Sequence, residues 1–535
     1  MKTKHILLGL SLGLLGGFTA CDVTDLNPKD SITDNSYWNT VSDLENYAKG
    51  FYMNLTGKGL RADGSENLDD LNTLDERSDN RLVASPDQWL FNEWVIPSEA
   101  NFDSKWYWNN IRNLNYFMTR YQRVNATESE VNPVVAVIRF FRAFDYFDKI
   151  KTFGDVPWYE KDLTTADIEE LLQKAATLAK EVMDSGLYDI VQGSDAGANQ
   201  SAFADYPLYY ANQFTQEDLT TNKECILARV FEADVLTHNL ARGGGVGLSK
   251  DFAESFLCKD GLPIANSSEY KGDETLDDEM ANRDPRMYQI IDSKYRPYTV
   301  KSNGMRVVNS GIDDKKEFSP SEEPGTNIHS APGLTGTATG YSPIKLVSAS
   351  QSQQDAVKTS SYDWFVFRYA EILLIYAEAK CELGECTQAV LDETINKLRD
   401  RVEMKHLTVS PVADLNPVDY GYSITPLLYE IRRERRIELA LEGFRYDDIM
   451  RWNAMKLFEN PKTYLGMRVT DKVKALYQPE VFEGSTARDL IEYNGKTYIR
   501  MYSGKSLNEA GRKWTGNDKR LYYPIPTSQI TLSAS

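Results

Sequence analysis

Apolar residues recur at three- and four-residue intervals along most of the chain, the spacing that places side chains on one face of an α-helix. Over Ser36–Met53, residues Tyr37, Trp38, Leu44, Tyr47, Ala48, Phe51 and Tyr52 fall near a common face. The segment Trp106–Tyr121 repeats the pattern through Trp106, Ile111, Leu114, Met118 and Tyr121. Val134–Phe153 is a strongly aromatic helical stretch, and Ile168–Met183 is a cleaner one of Leu, Ala and Lys. The same periodicity predicts helices over Asn222–Leu240, Tyr369–Leu383, Thr387–Arg401 and Ile424–Ala440. Gly384 stands where the first of the Tyr369–Arg401 pair should be capped, because glycine takes the left-handed conformation that closes a helix.

Paired helices joined by short turns predict a mostly α fold, a tetratricopeptide-like helical repeat scaffold. In such a scaffold each unit buries its apolar face only by stacking on a neighbour. Two stretches interrupt the helices and predict an irregular, loop-rich second region. Leu55–Ala100 is polar with embedded aromatics. Residues 301–363 form a Gly-, Ser-, Thr- and Pro-rich insert whose middle, Ser319–Gly340, reads as surface loop. Long segments of this kind inside a folded body are often functional. Beyond Lys472 the pattern is mixed, with a strand-like piece at Lys496–Tyr502.

The front end differs from the rest. Lys2 and Lys4 precede an apolar run from Ile6 to Leu15, and Phe18-Thr19-Ala20 lead into Cys21. This order is that of a bacterial secretory signal. The run is too short for a spanning helix, which needs about 20 apolar residues. A cysteine immediately after the cleavage point is the residue that lipoprotein processing requires, so Cys21 is the expected lipidation site. The expected layout is a signal peptide over 1–20, a lipidated tether over 21–35 that includes Pro28, and a body over 36–535.

Composition removes several classes. The formal charge of the 535 residues is −19, and loss of residues 1–20, which carry Lys2 and Lys4, makes it −21. An acidic surface is a poor match for nucleic acid, whose phosphates need Lys and Arg. It also argues against an electrostatic grip on an anionic membrane. Apart from Cys21 the cysteines are Cys225, Cys258, Cys381 and Cys386, a spacing that suggests no disulfide framework. Cys381 and Cys386 bracket a helix end and read as free thiols, with a bridge as the alternative. His238, His329 and His406 lie far apart, with no metal-binding motif, so no metal or cofactor is expected.

Candidate motifs mostly dissolve on inspection. The Gly-rich run Gly243–Gly247 lacks the Gly-Lys-Ser/Thr ending of a phosphate loop, and Gly504-Lys505-Ser506 lacks the upstream glycine. No Gly-x-Ser-x-Gly elbow is present, and no acidic pair is singled out as a glycosidase centre. The chain therefore reads as a binder and not an enzyme. The segment Glu430–Glu438 interleaves Arg432, Arg433, Arg435 and Arg436 with Glu430, Glu434 and Glu438, and Glu442 follows. Neutralising partners three or four positions away predict an ion-pair network along the helix.

One segment is different. Arg77, Asp79 and Asn80 lie close in sequence to Trp89 and Trp94, in a polar stretch. Planar hydrogen-bonding groups suit the hydroxyl rim of a sugar, and an indole face suits its C–H face. The other reading, that both Trp anchor a long loop on the core, has equal standing from the residues alone.

Several segments together resemble the SusD/RagB family of outer-membrane nutrient-binding lipoproteins. They are the lipidation signal; Tyr146-Phe147 with Phe153-Gly154-Asp155-Val156-Pro157; Leu257–Pro263 with Asn282–Arg286; Thr339-Gly340-Tyr341 with Lys345; Phe367–Ala379; Arg433–Leu439 with Glu442–Asp448 and Arg451-Trp452; and the closing Tyr523-Pro524-Ile525-Pro526. The resemblance implies tetratricopeptide-like helix pairs beside an irregular region. It also implies a lipid anchor in the outer membrane with the body facing the exterior. The implied role is capture of oligosaccharides or polysaccharides and their delivery to a SusC-type TonB-dependent transporter. Alternatives are capture of peptides, as the RagB branch suggests, or a structural lid on the transporter without a ligand. Tyr341 and Arg368 join Arg77, Asp79, Asn80, Trp89 and Trp94 as expected ligand contacts, Arg368 with a structural role as its competing reading.

Overall fold

The computed structural model describes residues 37–55, 60–61, 75, 77–82, 85–100, 105–154, 165–192, 206–238, 240, 247–293, 299–300, 306–308, 316–318, 338–348, 350, 353, 360–475, 482–484, 488–507, 512–515 and 518–529. Cys21, the signal and tether regions 1–35, Gly243–Val246, residues 319–337 and His329 lie outside the described residues. The fold is mostly α, a tetratricopeptide-like helical scaffold carrying short strands and loops. It separates into two compact units, one of residues up to Tyr52 with Trp108–Tyr146, the other of Met53–Tyr107 with Phe147–Ser535.

In the first unit the helix Val41–Lys49 starts at Thr40, which forms a capping box with Asp43, so two otherwise orphaned backbone donors are satisfied. The helix is shorter than the periodicity suggests, because Gly50–Asn54 tightens into a 3₁₀ turn. Its buried Leu44 and Ala48 share a core with Ile111, Leu114 and Phe117 of the Asn109–Met118 helix. Trp38 packs edge-on to Phe117 at 5.9 Å, and Phe51 lies 6.1 Å from Phe141 of the Glu128–Phe153 helix.

In the second unit the Tyr369–Glu382 helix packs on Thr165–Asp184 and on Pro426–Glu438. It is apolar nearly all round, and Tyr369, Ala370, Leu373, Leu374 and Ala377 are buried with Leu391, Ile395, Leu398 and Ile431. Each fully buried Leu contributes roughly 2 kcal/mol. Gly384, at φ +72°, closes the helix as expected: Glu385 N–H donates back to the Lys380 carbonyl at 2.8 Å. The partner helix departs from expectation and is two helices, Gln388–Glu393 and Ile395–Arg401. Thr394 breaks it with φ −128° and ψ −91°, its hydroxyl donating to the Val390 carbonyl at 2.5 Å. Cys381 and Cys386 are free thiols.

The helix expected over Asn222–Leu240 is a strand instead. Cys225–Arg229 pairs antiparallel with Trp364–Arg368, and Leu236–Thr237 pairs with Leu60–Arg61. Helix propensity of the local Leu, Ala and Glu is worth only tenths of a kcal/mol per residue. A ladder with a buried apolar strand outweighs it. His238 sits here as a core residue, its Nε2 2.9 Å from the Tyr362 carbonyl, and burial pulls its pKa down to about 4. The strand read at Lys496–Tyr502 is Lys496–Arg500, the centre of a three-stranded sheet between Leu465–Arg468 and Leu490–Tyr493.

The Arg/Glu helix, Pro426–Glu438, is an ion-pair network, but its partners are mostly not on the helix. Arg433 meets Glu430 at 3.2 Å within it. Glu434 instead pairs with Arg286 at 2.5 Å and Arg399 at 2.9 Å. Glu438 takes Arg368 at 2.8 Å, Arg286 at 3.1 Å and Arg401. Glu442 binds Lys345 at 2.5 Å and Arg368 at 2.7 Å. The reason is burial: every residue from Glu430 to Glu438 is inaccessible, so each charge needs a partner from the neighbouring elements. Burial pushes the Glu438 carboxyl up, but Arg401, Arg368 and Arg286 outweigh it and hold the group below the usual carboxylate range. Burial draws the Lys345 amine down to about 8 despite Glu442.

Candidate functional site

Asp87 opens the turn that builds the site. Its carboxylate accepts from Leu90 N–H at 2.8 Å, and its carbonyl from Phe91 N–H at 3.0 Å. Leu90 and Phe91 enter the core with Trp452, Phe458, Tyr464 and Tyr502, which fixes the turn. Trp89 then packs against two other rings: Tyr523 is stacked on it at 4.5 Å and 12°, and Trp94 is 4.8 Å away at 33°. The chain end is tied in place by Tyr523 N–H to the Thr152 carbonyl at 2.7 Å and Thr527 N–H to the Pro97 carbonyl at 3.0 Å. Gly154, at φ +72°, permits this approach, since a Cβ there would sit 2.8 Å from the Tyr522 ring.

Arg77 joins the cluster. Its guanidinium lies 5.8 Å from the Trp89 ring and 5.6 Å from that of Tyr523, donates to the Tyr523 hydroxyl, and reaches Asp87 at 3.4 Å. Lys105 sits 4.3 Å from the Tyr523 ring and Lys519 4.9 Å from Trp94, within cation–π range. Burial lowers the Arg77 pKa, but Asp87, Tyr523 and Tyr446 together raise it more, so the group stays charged. Trp89 is only 4% exposed, while Trp94 and Arg77 are half-buried and keep an outward side. Around them Val95, Ile96, Tyr522 and Ile525 are exposed apolar residues.

The other expected contacts turn inward. Asp79 is wholly buried and holds Arg445 through two bonds of 2.7 and 2.8 Å, with Arg436 at 3.3 Å. Burial raises its pKa, but Arg436 and Arg445 prevail and set it at about 2. Asn80 donates to Asp75 at 3.1 Å and accepts from Arg436 at 2.7 Å. Tyr341 is buried and donates to Glu279 at 2.8 Å. Arg368 is enclosed by Glu224, Glu438 and Glu442. None of these four partners sets includes a ring of the Trp89 cluster. The fold therefore brings Arg77, Trp89 and Trp94 together and commits Asp79, Asn80, Tyr341 and Arg368 to internal bonds. The member of this cluster that the sequence reading missed is Tyr523, which lies 446 positions from Arg77. Its aromatic pair with Tyr522 ahead of two prolines was the available signal. Among the described residues no cluster of metal-ligating groups occurs, and no helix is long and apolar enough to cross a membrane.

A helical-repeat scaffold with a loop-built aromatic face defines the class of fold. The chain belongs to the SusD family, whose sequence profile matches residues 193–535. It is similar to SusD-like protein P38 of Formosa agariphila, with 24% identity over 500 residues, covering 84% of this chain and 92% of the relative. SusD-like protein P2 of the same organism is also 24% identical, over 84% of this chain and 90% of its own. Among solved structures, a SusD-like carbohydrate binding protein from Bacteroides fragilis superposes with a TM-score of 0.56 at 20% identity, covering 93% of this chain and 99% of that one. A second SusD-like protein from that organism gives 0.57 at 20% identity, over 94% and 97%. At these identities the likeness in structure concerns the fold.

Proposed function

We propose that the protein is a non-catalytic, cell-surface glycan-binding lipoprotein that captures oligosaccharides and passes them to a SusC-type TonB-dependent transporter. The observation that carries this reading is the half-open aromatic cluster of Trp94, Trp89, Tyr523 and Arg77. Trp94 offers an indole edge and face to the C–H side of a sugar, and Trp89 with Tyr523 braces it from behind. Arg77 supplies donors for ring hydroxyls. Because Trp89 is only 4% exposed, direct stacking falls to Trp94. Each hydrogen bond exchanges with water and contributes only about 1 kcal/mol, so several sugars in series are needed for useful affinity. Membership of the SusD family and the carbohydrate-binding name of one structural neighbour support the ligand class. Lipidation at Cys21 would keep the body at the outer face of the outer membrane, with residues 21–35 as tether.

Native gels containing amylopectin, laminarin, xylan or galactomannan test the reading. Retardation by at least one polysaccharide, removed by Trp94→Ala, is expected; free migration in every gel opposes it. The exposed Val95, Ile96, Tyr522 and Ile525 beside the cluster favour a second reading, a lid that contacts the transporter through this face and carries no ligand. Copurification with the transporter that is lost in Ile96→Asp, without retardation in any gel, would select that reading.

A further inference from the structure

We propose that a cleft of about 430 Å³ beneath the 414–420 loop is a second saccharide site, one that takes a neutral mono- or disaccharide. The cleft shares no residue with the Trp89 cluster. Its walls are the loop itself, the outer turns of Pro426–Glu438, the Met455–Lys462 segment, the Lys250–Ser255 helix and the hairpin tip Tyr493-Asn494. Its volume lies within the roughly 300–1,000 Å³ of small-ligand sites.

The walls are held in place. Asn266 donates to the Ala413 carbonyl and accepts from Leu415 N–H, both at 3.0 Å, and the Tyr429 hydroxyl accepts from Val418 N–H at 3.0 Å. Asn494 and Gly495, at φ +51° and +72°, form the tight tip between paired strands. The site is therefore built before any ligand arrives, which reduces the ordering cost of binding.

Charge decides the ligand class. Cations and carboxylates alternate around the cleft and neutralise one another: Arg436 with Asp251 at 2.8 Å, Arg433 with Asp414 at 2.6 Å, Lys456 with Glu459 at 2.7 Å, Lys462 with Glu254 at 2.5 Å. No sign dominates, so neither an anion nor a cation is favoured. Arg445 bonds Asp79 through Nε and Nη2, and Arg432 lies over the Tyr420 and Trp452 rings, so both guanidinium groups are engaged within the wall. Sugar hydroxyls can instead donate to the lining carboxylates and bond the exposed Asn416 and Asn494 amides. Tyr420, Tyr429 and Tyr493 add aromatic surface for the C–H face of a sugar ring.

The test is saturation-transfer NMR and calorimetric titration of the purified chain with the methyl glycosides of glucose, galactose and mannose, with glucuronate and glucosamine as charged counterparts. At least one neutral glycoside should bind, and its affinity should fall at least tenfold in the double variant Asn416→Ala/Asn494→Gly, which keeps the turn and leaves the denaturation midpoint unchanged. The same titration should be unaltered in Trp94→Ala, which separates this site from the face proposed above. Binding by none of the neutral glycosides, binding confined to a charged sugar, or binding insensitive to the cleft variant overturns the proposal.

Discussion

Two regions of this molecule hold their arginines in contrasting ways. Around Pro426–Glu438, guanidinium groups meet carboxylates in nearly complete burial, and Glu438 alone receives Arg286, Arg368 and Arg401. Around Trp89, a single half-buried guanidinium, Arg77, leans on rings and reaches one carboxylate at 3.4 Å. Internal charges that each meet several partners hold elements together. A loosely paired charge beside half-open rings is available for a ligand. Composition does not distinguish the two; burial and partner count do.

The largest effect should come from Glu438→Gln. Removing that charge leaves three buried guanidinium groups short of a partner, and such losses cost about 3–5 kcal/mol. Urea denaturation should show it, and an unchanged midpoint would remove the network from its structural role. Asp79→Asn should follow at about 3 kcal/mol, since it weakens both bonds to Arg445. If Asp79 instead served a ligand, stability would be kept and polysaccharide retardation lost.

Acid should act in the same direction. The Asp79 pKa is about 2 in the folded chain against 3.8 for the free group, so its contribution is complete above about pH 4 and disappears as pH falls toward 2. That difference corresponds to about 2 kcal/mol. Denaturation midpoints at pH 6, 4 and 2.5 should drop chiefly over the last interval, and the drop should shrink in Asp79→Asn. Arg77→Ala should be the mildest change, about 1 kcal/mol or less, because half-exposed pairs of this kind contribute little. Its expected signature is weaker glycan retardation with a near-normal midpoint.

The same contrast explains what could be read from sequence. Helices such as Tyr369–Glu382 were legible because burial imposes a 3.6-residue period and Gly384 marks the end. The 222–240 stretch was not, because strand pairing with Trp364–Arg368 depends on a distant segment that overrides local propensity. The ion-pair character of the Arg/Glu helix was legible, but its partners were not, since Arg286, Arg368 and Arg401 come from elsewhere in the chain. Of the expected contacts, Arg77, Trp89 and Trp94, close in sequence, lie together in one cluster. Asp79 and Asn80, only two and three positions from Arg77, point to Arg445 and Arg436 instead, a reversal that depends on which face of the turn meets the core. Tyr523 carried a local signal, the Tyr-Tyr pair ahead of Pro524, but its place beside Arg77, 446 positions away, depends on the fold.

The central claim is that polysaccharide recognition rests on the aromatic face and not on the ion pairs around Glu438. Electrophoresis of Trp94→Ala beside the unaltered chain, in gels of the polysaccharide that retards the latter, tests it most directly. The account predicts that Trp94→Ala stays folded and migrates as it does without polysaccharide. Retardation of folded Trp94→Ala equal to that of the unaltered chain would contradict it.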